Sequence, residues 1–344
     1  MSATALLTRP PTDEPPPTTP IVEVNGVVVR FDALTAVNDV SLSINAGEVR
    51  GLLGPNGSGK TTLVNVIATL RRPTAGTVRV GGHDVVASPT GVRRTIGLAG
   101  QYAAVDDLLT GRENIEIIGR LYGLDRRSAR RRADEVLERL SLTEAADRQV
   151  RTYSGGMRRR LDLGASLAGR PQVLLLDEPT TGLDPHTRLE LWDFLRDLVA
   201  EGTTVLLTTQ YLEEADALAD RITVIDRGRV IAEGTADELK SSVGASRIRV
   251  VPTSGDQLPA AASAMKPILG EAVRIDGQAG AVTASVSGGM ETLLATAAAL
   301  HGAGVDVTDI AVERPSLDDV FLSITGNDAD RAEIRAAPSN EVAS

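Results

Sequence analysis

The hydrophobic pattern of the chain changes its period several times, and each period predicts a different element. Residues 40–44 alternate apolar and polar side chains, which is typical of a strand with one buried face. Residues 173–176 form an uninterrupted apolar run, as expected for a parallel strand that is buried on both faces. From about residue 111 to 168, apolar positions recur at helical spacing. The chain therefore combines strand-like and helix-like segments.

Up to residue 240, these two kinds of segment follow each other closely. Asn25-Gly26 separates two apolar runs, 21–24 and 27–30, and predicts a hairpin turn between two strands. Further strands are predicted at 49–53, 77–80, 96–99, 203–207 and 222–225, and helices at 62–67, 186–199 and 212–219. The alternation predicts an α/β sandwich with a largely parallel sheet.

The character of the sequence changes at about residues 240–244. Beyond it, the order βαββαβ predicts a small ferredoxin-like α+β domain that is closed by a short helix at 317–324. Residues 1–20 are rich in proline and predict a disordered tail, and residues 327–344 predict a polar tail. We thus expect a large domain at 21–240, with a helical subdomain at about 102–170, and an accessory domain at 245–326.

Composition narrows the range of functions. The chain has 344 residues, a formal net charge of -10 and no cysteine. The acidic balance argues against nucleic acid as a partner, and the lack of cysteine excludes disulfides and thiolate metal sites. The sequence contains no apolar run of about 18 residues, and residues 1–20 lack a signal-peptide pattern, so we expect a cytoplasmic protein. The basic run 126–132 is either a solvated helix face or a contact for anionic lipid or an acidic partner loop.

One glycine-rich stretch carries the clearest chemical signal. It fits the pattern G-x-x-x-x-G-K-[ST] between a predicted strand and a predicted helix. Its glycines let backbone N–H groups turn toward an anion, its lysine supplies positive charge for the phosphates, and the next residue offers a hydroxyl to Mg²⁺. The predicted ATP-binding residues of this stretch are Gly54, Pro55, Asn56, Gly57, Ser58, Gly59, Lys60, Thr61 and Thr62, of which Thr61 is also the magnesium ligand.

Two acidic residues directly follow the apolar run at 173–176. Asp177 lies at the tip of the predicted strand, where an acid beside a phosphate loop can hold Mg²⁺. Glu178 is then placed to polarise a water in line with the γ-phosphate. We therefore assign Asp177 to the magnesium site and Glu178 to catalysis.

A third motif, Ser154-Gly155-Gly156, opens a predicted helix. Ser154 is a favourable N-cap residue, and the two glycines leave backbone N–H groups accessible to an anion. By itself the motif is also that of an ordinary capped helix.

The order of these motifs over residues 21–240 resembles the nucleotide-binding domain of ATP-binding cassette (ABC) transporters. The resemblance implies that residues 54–62 are the Walker A loop, Asp177 the Walker B acid and Glu178 the catalytic base. It also implies that Gln101 is the Q-loop glutamine, which senses Mg²⁺ and the membrane partner.

The same resemblance implies a head-to-tail homodimer. Ser154, Gly155 and Gly156 would be the signature that binds the ATP held by the opposite protomer, and Asp184 would lie at the interface. Phe31 stands where an aromatic ring stacks on adenine, although a core position at the end of a strand is the alternative for this residue.

Two positions depart from the family pattern. Met157 stands where the signature usually carries glutamine, which should matter little because the glycine backbone does most of the anion binding. Gln210 stands where the switch histidine is expected. Its amide can donate to the γ-phosphate but cannot become cationic, so we predict catalysis through Gln210 with slower hydrolysis and little change in binding. We interpret His83, His186 and His301 as non-catalytic.

Residues 153–162, 209–216 and 315–322 narrow the resemblance to the daunorubicin-resistance ATP-binding subunits. This branch implies an ATPase that uses ATP and Mg²⁺ at the cytoplasmic face of the membrane and energises separate permease subunits for export of a drug or antibiotic. The cargo can alternatively be a lipid, a polysaccharide or an ion. Residues 245–326 can alternatively serve only to stabilise the dimer. The rival functions are a non-transport ABC ATPase that remodels ribosomes or DNA, and a regulatory subunit with little catalysis.

Overall fold

The computed structural model describes residues 20–100, 105–243, 246–277, 279–286, 290–313, 315–321 and 323. Residues 1–19 of the first predicted tail, the second predicted tail and Gln101 lie outside the described residues. The strands are β1 (Val22–Phe31), β2 (Leu34–Ile44), β3 (Val49–Leu53), β4 (Ala75–Val80), β5 (His83–Asp84), β6 (Ile96–Ala99), β7 (Val173–Asp177), β8 (Thr204–Thr209), β9 (Arg221–Asp226), β10 (Arg229–Gly234), β11 (Ser246–Pro252), β12 (Arg274–Asp276), β13 (Ala281–Val286) and β14 (Val307–Glu313).

The helices alternate with these strands, as expected for the α/β class, which is confirmed. They are α1 (Lys60–Ile67), α2 (Pro89–Thr95), α3 (Gly111–Leu121), α4 (Arg126–Arg139), α5 (Gly155–Leu167), α6 (Pro185–Ala200), α7 (Leu212–Leu218), α8 (Ala236–Val243), α9 (Leu258–Leu269) and α10 (Met290–Gly302). A further helical turn covers residues 317–321. Within the part of the chain that the structure describes, none of the helices has the length and apolarity to cross a membrane.

Contacts divide the chain into two compact units. The first comprises residues 1–50, 56–208 and 227–229, and the second comprises residues 51–55, 209–226 and 230–344. This division does not fall at the predicted boundary near 240–245, which therefore stays a prediction about independent folding.

The first unit contains an antiparallel sheet in the order β2-β1-β4-β5. The predicted hairpin at Asn25-Gly26 is wrong, because β1 runs through this pair as one strand with an irregular register against β2. Gly26 has the positive φ of 56° that favours glycine, but its N–H donates to Ser41 Oγ at 2.9 Å instead of closing a turn. Pairing with β2 on one side and β4 on the other keeps the strand extended.

The first unit also contains the parallel strands that carry the site. β7 lies between β6 and β8 and pairs parallel with both, with Asp177 opposite Thr208. Every residue of β7 and β8 is buried, as the uninterrupted apolar run predicts. The carboxyl ends of β7 and β8 consequently bring Asp177 and Thr208 to the same edge of the sheet.

The second unit contains two cores. One of them is the predicted ferredoxin-like unit, whose sheet is antiparallel in the order β12-β13-β11-β14 and whose helices are α9 and α10. Its core is made of aliphatic side chains from β11, α9, β13 and α10. The βαββαβ prediction for this part of the chain is confirmed.

The other core of the second unit corrects the prediction for the last helix. Leu317 and Val320 do not close the ferredoxin-like unit, because they are buried in a cluster with Leu53, Ala215 and Leu239 and with residues of β9. The sequence pattern of a short amphipathic helix defines its apolar face but not the surface that covers this face. Helices α2 and α8 and strands β5 and β10 were not predicted at all.

Candidate active site

The phosphate loop leads from β3 into α1. Gly57 and Gly59 have φ angles of 79° and 107°, which favour glycine. A Cβ atom on Gly59 would lie 2.4 Å from the carbonyl oxygen of Ala36, so only glycine fits there. Gly54 N–H donates to the carbonyl oxygen of Thr209 at 3.3 Å. These constraints explain the loop pattern in physical terms.

Lys60 begins α1 and is buried, with 5% of its surface exposed. Burial lowers the pKa of its ammonium group, while the negative charges of Glu178 and, less strongly, Asp177 act in the opposite direction. A cation that is held among acids and away from water is suited to bind a highly charged anion.

Asp177 connects the loop to the parallel strands. Its Oδ1 accepts hydrogen bonds from Thr61 Oγ1 at 3.0 Å and from Thr208 Oγ1 at 2.6 Å. Asp177 and Thr208 are buried, with exposed fractions of 4% and 0%. Thr208 was not identified from the sequence, because nothing in its local pattern distinguishes it from other strand threonines.

Glu178 has a left-handed backbone, with a φ of 50°. For a residue with a Cβ this conformation costs about 1–2 kcal/mol, and such outliers cluster at functional sites. The Glu178 N–H donates to Thr208 Oγ1 at 3.0 Å and to the Thr208 carbonyl oxygen at 3.2 Å. Glu178 Oε2 accepts a weak hydrogen bond from Thr181 Oγ1 at 3.4 Å. The chain thus leaves β7 through a strained residue whose side chain lines the cavity described next.

Lys60, Thr61 and Glu178 are among the residues that line a cavity of about 620 Å³. Its walls are Phe31, Leu34, Ala36, residues 56–62 and Glu178. The volume is that of a site for a small-molecule ligand. Phe31 is not a core residue, because 37% of its surface is exposed, and the guanidinium of Arg71 lies 3.8 Å from its ring centroid. The cavity therefore combines an aromatic and apolar end with the glycine-rich loop of residues 56–62.

Ser154 caps α5, as predicted. Its Oγ accepts a hydrogen bond from the Met157 N–H at 3.2 Å. A Cβ on Gly155 would meet no atom within 4 Å, whereas a Cβ on Gly156 would lie 3.3 Å from Thr187 Cγ2. The first glycine therefore borders open space, and the second lies against α6.

Asp184 caps α6, a role that was not predicted. Its carboxylate accepts hydrogen bonds from Thr187 N–H at 3.0 Å and from Thr187 Oγ1 at 2.6 Å. These bonds lower the pKa of Asp184. Sequence reasoning could have found the cap, because an aspartate directly before a proline-initiated helix is a standard start signal.

Among the described residues, Gln210 and the three histidines do not belong to the cavity walls. Gln210 directly follows β8 and is half-buried, and Gln101 lies outside the described residues. His83, His186 and His301 are exposed, and none of them lines the cavity.

Two family models match the chain. The model of the ABC transporter family matches residues 37–181, and that of the ATP-binding protein DrrA1-3-like C-terminal domain matches residues 234–325. The daunorubicin resistance ATP-binding protein DrrA3 of Streptomyces coeruleorubidus is 55% identical over 89% of this chain and 96% of its own length. The chain belongs to the ATP-binding proteins of ABC transporters. The resemblance drawn from its motifs is confirmed.

A further relative and a solved structure support the same family assignment. The doxorubicin resistance ATP-binding protein DrrA of Mycobacterium tuberculosis is 48% identical over 88% of this chain and 93% of its own length. A dimeric ATP-binding cassette in a post-hydrolysis state, bound to ADP and Pi, superposes with a TM-score of 0.57 and 29% identity over 62% of this chain and 98% of the cassette. As an ABC ATP-binding protein, the chain is an ATPase of a class whose subunits dimerise and work with membrane permeases.

Proposed function

We propose that this ATPase energises a separate membrane permease for export of a drug or antibiotic of the daunorubicin type. The observation that carries the catalytic part is the contact of Thr61 with Asp177 at 3.0 Å, beside a cavity that Glu178 also lines. The transport part rests on the relatives, which are named daunorubicin and doxorubicin resistance proteins.

ATP fits the cavity by its chemistry. The N–H groups of residues 56–62 and the cation of Lys60 would bind the phosphates, and the exposed ring of Phe31 would contact the adenine. Thr61 Oγ1 and Asp177 Oδ1, 3.0 Å apart, are the hard oxygen donors that Mg²⁺ prefers, and Gln101 is the further ligand that the family pattern provides. Bound Mg²⁺ would neutralise charge on the phosphates.

Glu178 is proposed to orient and polarise the attacking water. Gln210 is proposed to donate its amide N–H to the γ-phosphate. A neutral amide gives a weaker hydrogen bond than an imidazolium, so turnover should be slower than with histidine. This chain therefore retains the groups for hydrolysis, with one of them weakened.

The second half of the site is proposed to come from another copy of the chain. Gly155 borders open space at the start of α5, where Ser154 and the glycine N–H groups could receive the phosphates held by the partner copy. Asp184, at the start of α6, would lie at this head-to-tail interface. No nucleic acid is part of the proposal, and the protein would lie at the cytoplasmic face of the membrane through its permease.

The test is ATP turnover by the full-length chain, alone and with its permease in vesicles. Wild type is compared with Glu178→Gln and with Glu138→Gln, which removes an exposed carboxylate of α4. We expect Glu178→Gln to lose turnover and to form an ATP-dependent dimer, while Glu138→Gln behaves as wild type. Wild-type turnover in Glu178→Gln would refute the catalytic assignment.

ATP-driven uptake of daunorubicin into inverted vesicles tests the identity of the cargo. Uptake of a lipid and not of daunorubicin would show that the proposed cargo is wrong.

A further inference from the structure

Arg159 joins three segments of the site through its side chain. It lies on the second turn of α5, three residues beyond Gly156, and 19% of its surface is exposed. Its Nε donates to the carbonyl oxygen of Pro179 at 2.9 Å, its Nη2 to that of Glu178 at 3.1 Å and its Nη1 to that of Gly100 at 3.0 Å. All three nitrogens of the guanidinium are therefore bonded to main-chain oxygens.

A buried acid holds this guanidinium in place. Asp162 Oδ2 lies 3.6 Å from Arg159 Nη1, one helical turn further along α5, and Asp162 has an exposed fraction of 2%. The planar guanidinium presents its donors in a fixed fork, and the charge of Asp162 keeps it oriented. The guanidinium thus has a fixed set of partners, unlike that of a surface ion pair, and we call these three hydrogen bonds with the Asp162 contact the Arg159 bracket.

The three carbonyl groups that accept from Arg159 belong to two segments of the site. Two of them, on Glu178 and Pro179, belong to the backbone immediately after β7, where Glu178 has its left-handed φ of 50°. The third, on Gly100, belongs to the residue directly before Gln101. Arg159 thus bonds to the backbone that aims the Glu178 carboxylate, and it does so from the helix that Ser154 begins.

We propose that Arg159 is a positioning residue for hydrolysis: its guanidinium holds the Glu178–Pro179 backbone in the strained conformation that directs the Glu178 carboxylate into the cavity. The proposal rests on the proposed catalytic role of Glu178. Arg159 lies on α5, the helix that Ser154 begins. The same hydrogen bonds therefore make the orientation of the Glu178 carboxylate depend on the position of α5. A shift of α5 when the second protomer binds would then be transmitted to the catalytic carboxylate.

The neighbouring Arg158 provides a matched control. Arg158 pairs with Asp107 at 2.8 Å and is 41% exposed, and no hydrogen bond joins it to the backbone of Glu178 in the described structure. Arg158→Met therefore removes the same charge from the same helix without removing the bracket. Arg159→Met keeps an unbranched, though shorter, side chain and removes all its donors, whereas Arg159→Lys keeps the charge but cannot reach three divergent carbonyls at once.

The experiment measures turnover and ATP affinity of the full-length chain for wild type, Arg159→Met, Arg159→Lys and Arg158→Met. Thermal unfolding shows whether each variant is folded. For Arg159→Met we expect kcat to fall about tenfold to a hundredfold, as misplacement of a catalytic group does, while the Kd for ATP changes less than about twofold. Arg159→Lys should recover part of kcat, and Arg158→Met should match wild type.

A double-mutant cycle tests whether Arg159 acts through Glu178. In a Glu178→Gln background, Arg159→Met should reduce the residual single-turnover rate by less than about twofold, because the carboxylate that it positions is already gone. An equal loss in both backgrounds, or unchanged kcat in folded Arg159→Met, overturns the positioning role while leaving the role of Glu178 intact. Wild-type turnover in Glu178→Gln alone overturns both.

Discussion

Thr208 gives the sharpest prediction about the stability of the site. Its hydroxyl donates to Asp177 Oδ1 at 2.6 Å and accepts from the Glu178 N–H at 3.0 Å, with no exposed surface. Thr208→Val keeps the shape of the side chain and removes both interactions. Glu178 N–H retains the Thr208 carbonyl oxygen at 3.2 Å, so the main loss is the hydrogen bond to the buried carboxylate.

The size of the effect follows from the charge of the partner. A hydrogen bond to a charged group contributes about 1.5–3 kcal/mol, and the methyl group that replaces the hydroxyl recovers up to about 0.8 kcal/mol through burial. We expect a net loss of about 1–2 kcal/mol in the free energy of unfolding. Turnover should fall as well, because Asp177 and the Glu178 backbone lose a shared support.

Thr204→Val is the matched control on the same strand. Thr204 is equally buried, but its Oγ1 accepts from the neutral Gly47 N–H at 2.9 Å, and Gly47 itself is half-buried. A neutral bond contributes about 0.5–1.5 kcal/mol, so the net change after the same methyl gain should be under about 1 kcal/mol.

Urea unfolding followed by fluorescence measures both variants. Trp192, the single tryptophan, lies on α6 in the same unit and is 9% exposed, so it reports on this part of the fold. If Thr208→Val unfolds at the wild-type urea concentration, or if Thr204→Val is the more destabilised, the reasoning from the charge of the acceptor is wrong.

Three further predictions concern other parts of the chain. Gln210→His should raise kcat about fivefold with little change in KM, because a charged donor adds roughly 1 kcal/mol at the transition state; an unchanged or lower kcat in a steady-state assay contradicts this. Leu317→Ala should cost about 2–4 kcal/mol in urea unfolding followed by circular dichroism, since Leu317 is 3% exposed in an apolar cluster, and a wild-type midpoint would argue against that packing. The hydrogen bonds from the Thr187 hydroxyl and N–H lower the pKa of Asp184, so its charged form stabilises the fold above the ordinary aspartate range and loses this contribution as the pH falls through the lowered pKa. Asp184→Asn keeps the cap without the titration, and Tm should therefore vary less with pH below 4; the same slope as wild type would refute it.

Much of the fold is encoded in local patterns and could be predicted from them. The buried strand β7 and the second half of β2 are found where continuous and alternating apolar residues predict them. The residues of the phosphate loop, Asp177 and Glu178 lie in two short motifs, each next to a strand end, and parallel pairing then brings those ends to one edge. A motif whose residues are contiguous can be identified from the sequence together with the strand or helix beside it.

The errors arise where distant segments decide the structure. Asn25-Gly26 favours a positive φ, and Gly26 has one, but the strands on both sides of β1 prevent a hairpin. Thr208 and Arg159 acquire their partners from residues 19 to 59 positions away, so no spacing in the sequence marks them. Long-range hydrogen bonds of single side chains are the part of a site that periodicity does not reveal.

The last helical turn changes how the C-terminal half of the chain should be regarded. Leu239 of α8 and Leu317 with Val320 share one apolar cluster, although the whole ferredoxin-like unit lies between them in the sequence. In topology, this unit is an insertion into the second core rather than an appendage to its end. A chain that stopped at residue 245 would lose part of that core, whereas a chain that joined α8 to residues 315–321 through a short linker would keep it. We therefore expect the ferredoxin-like unit to tolerate changes in its length better than the few residues after it.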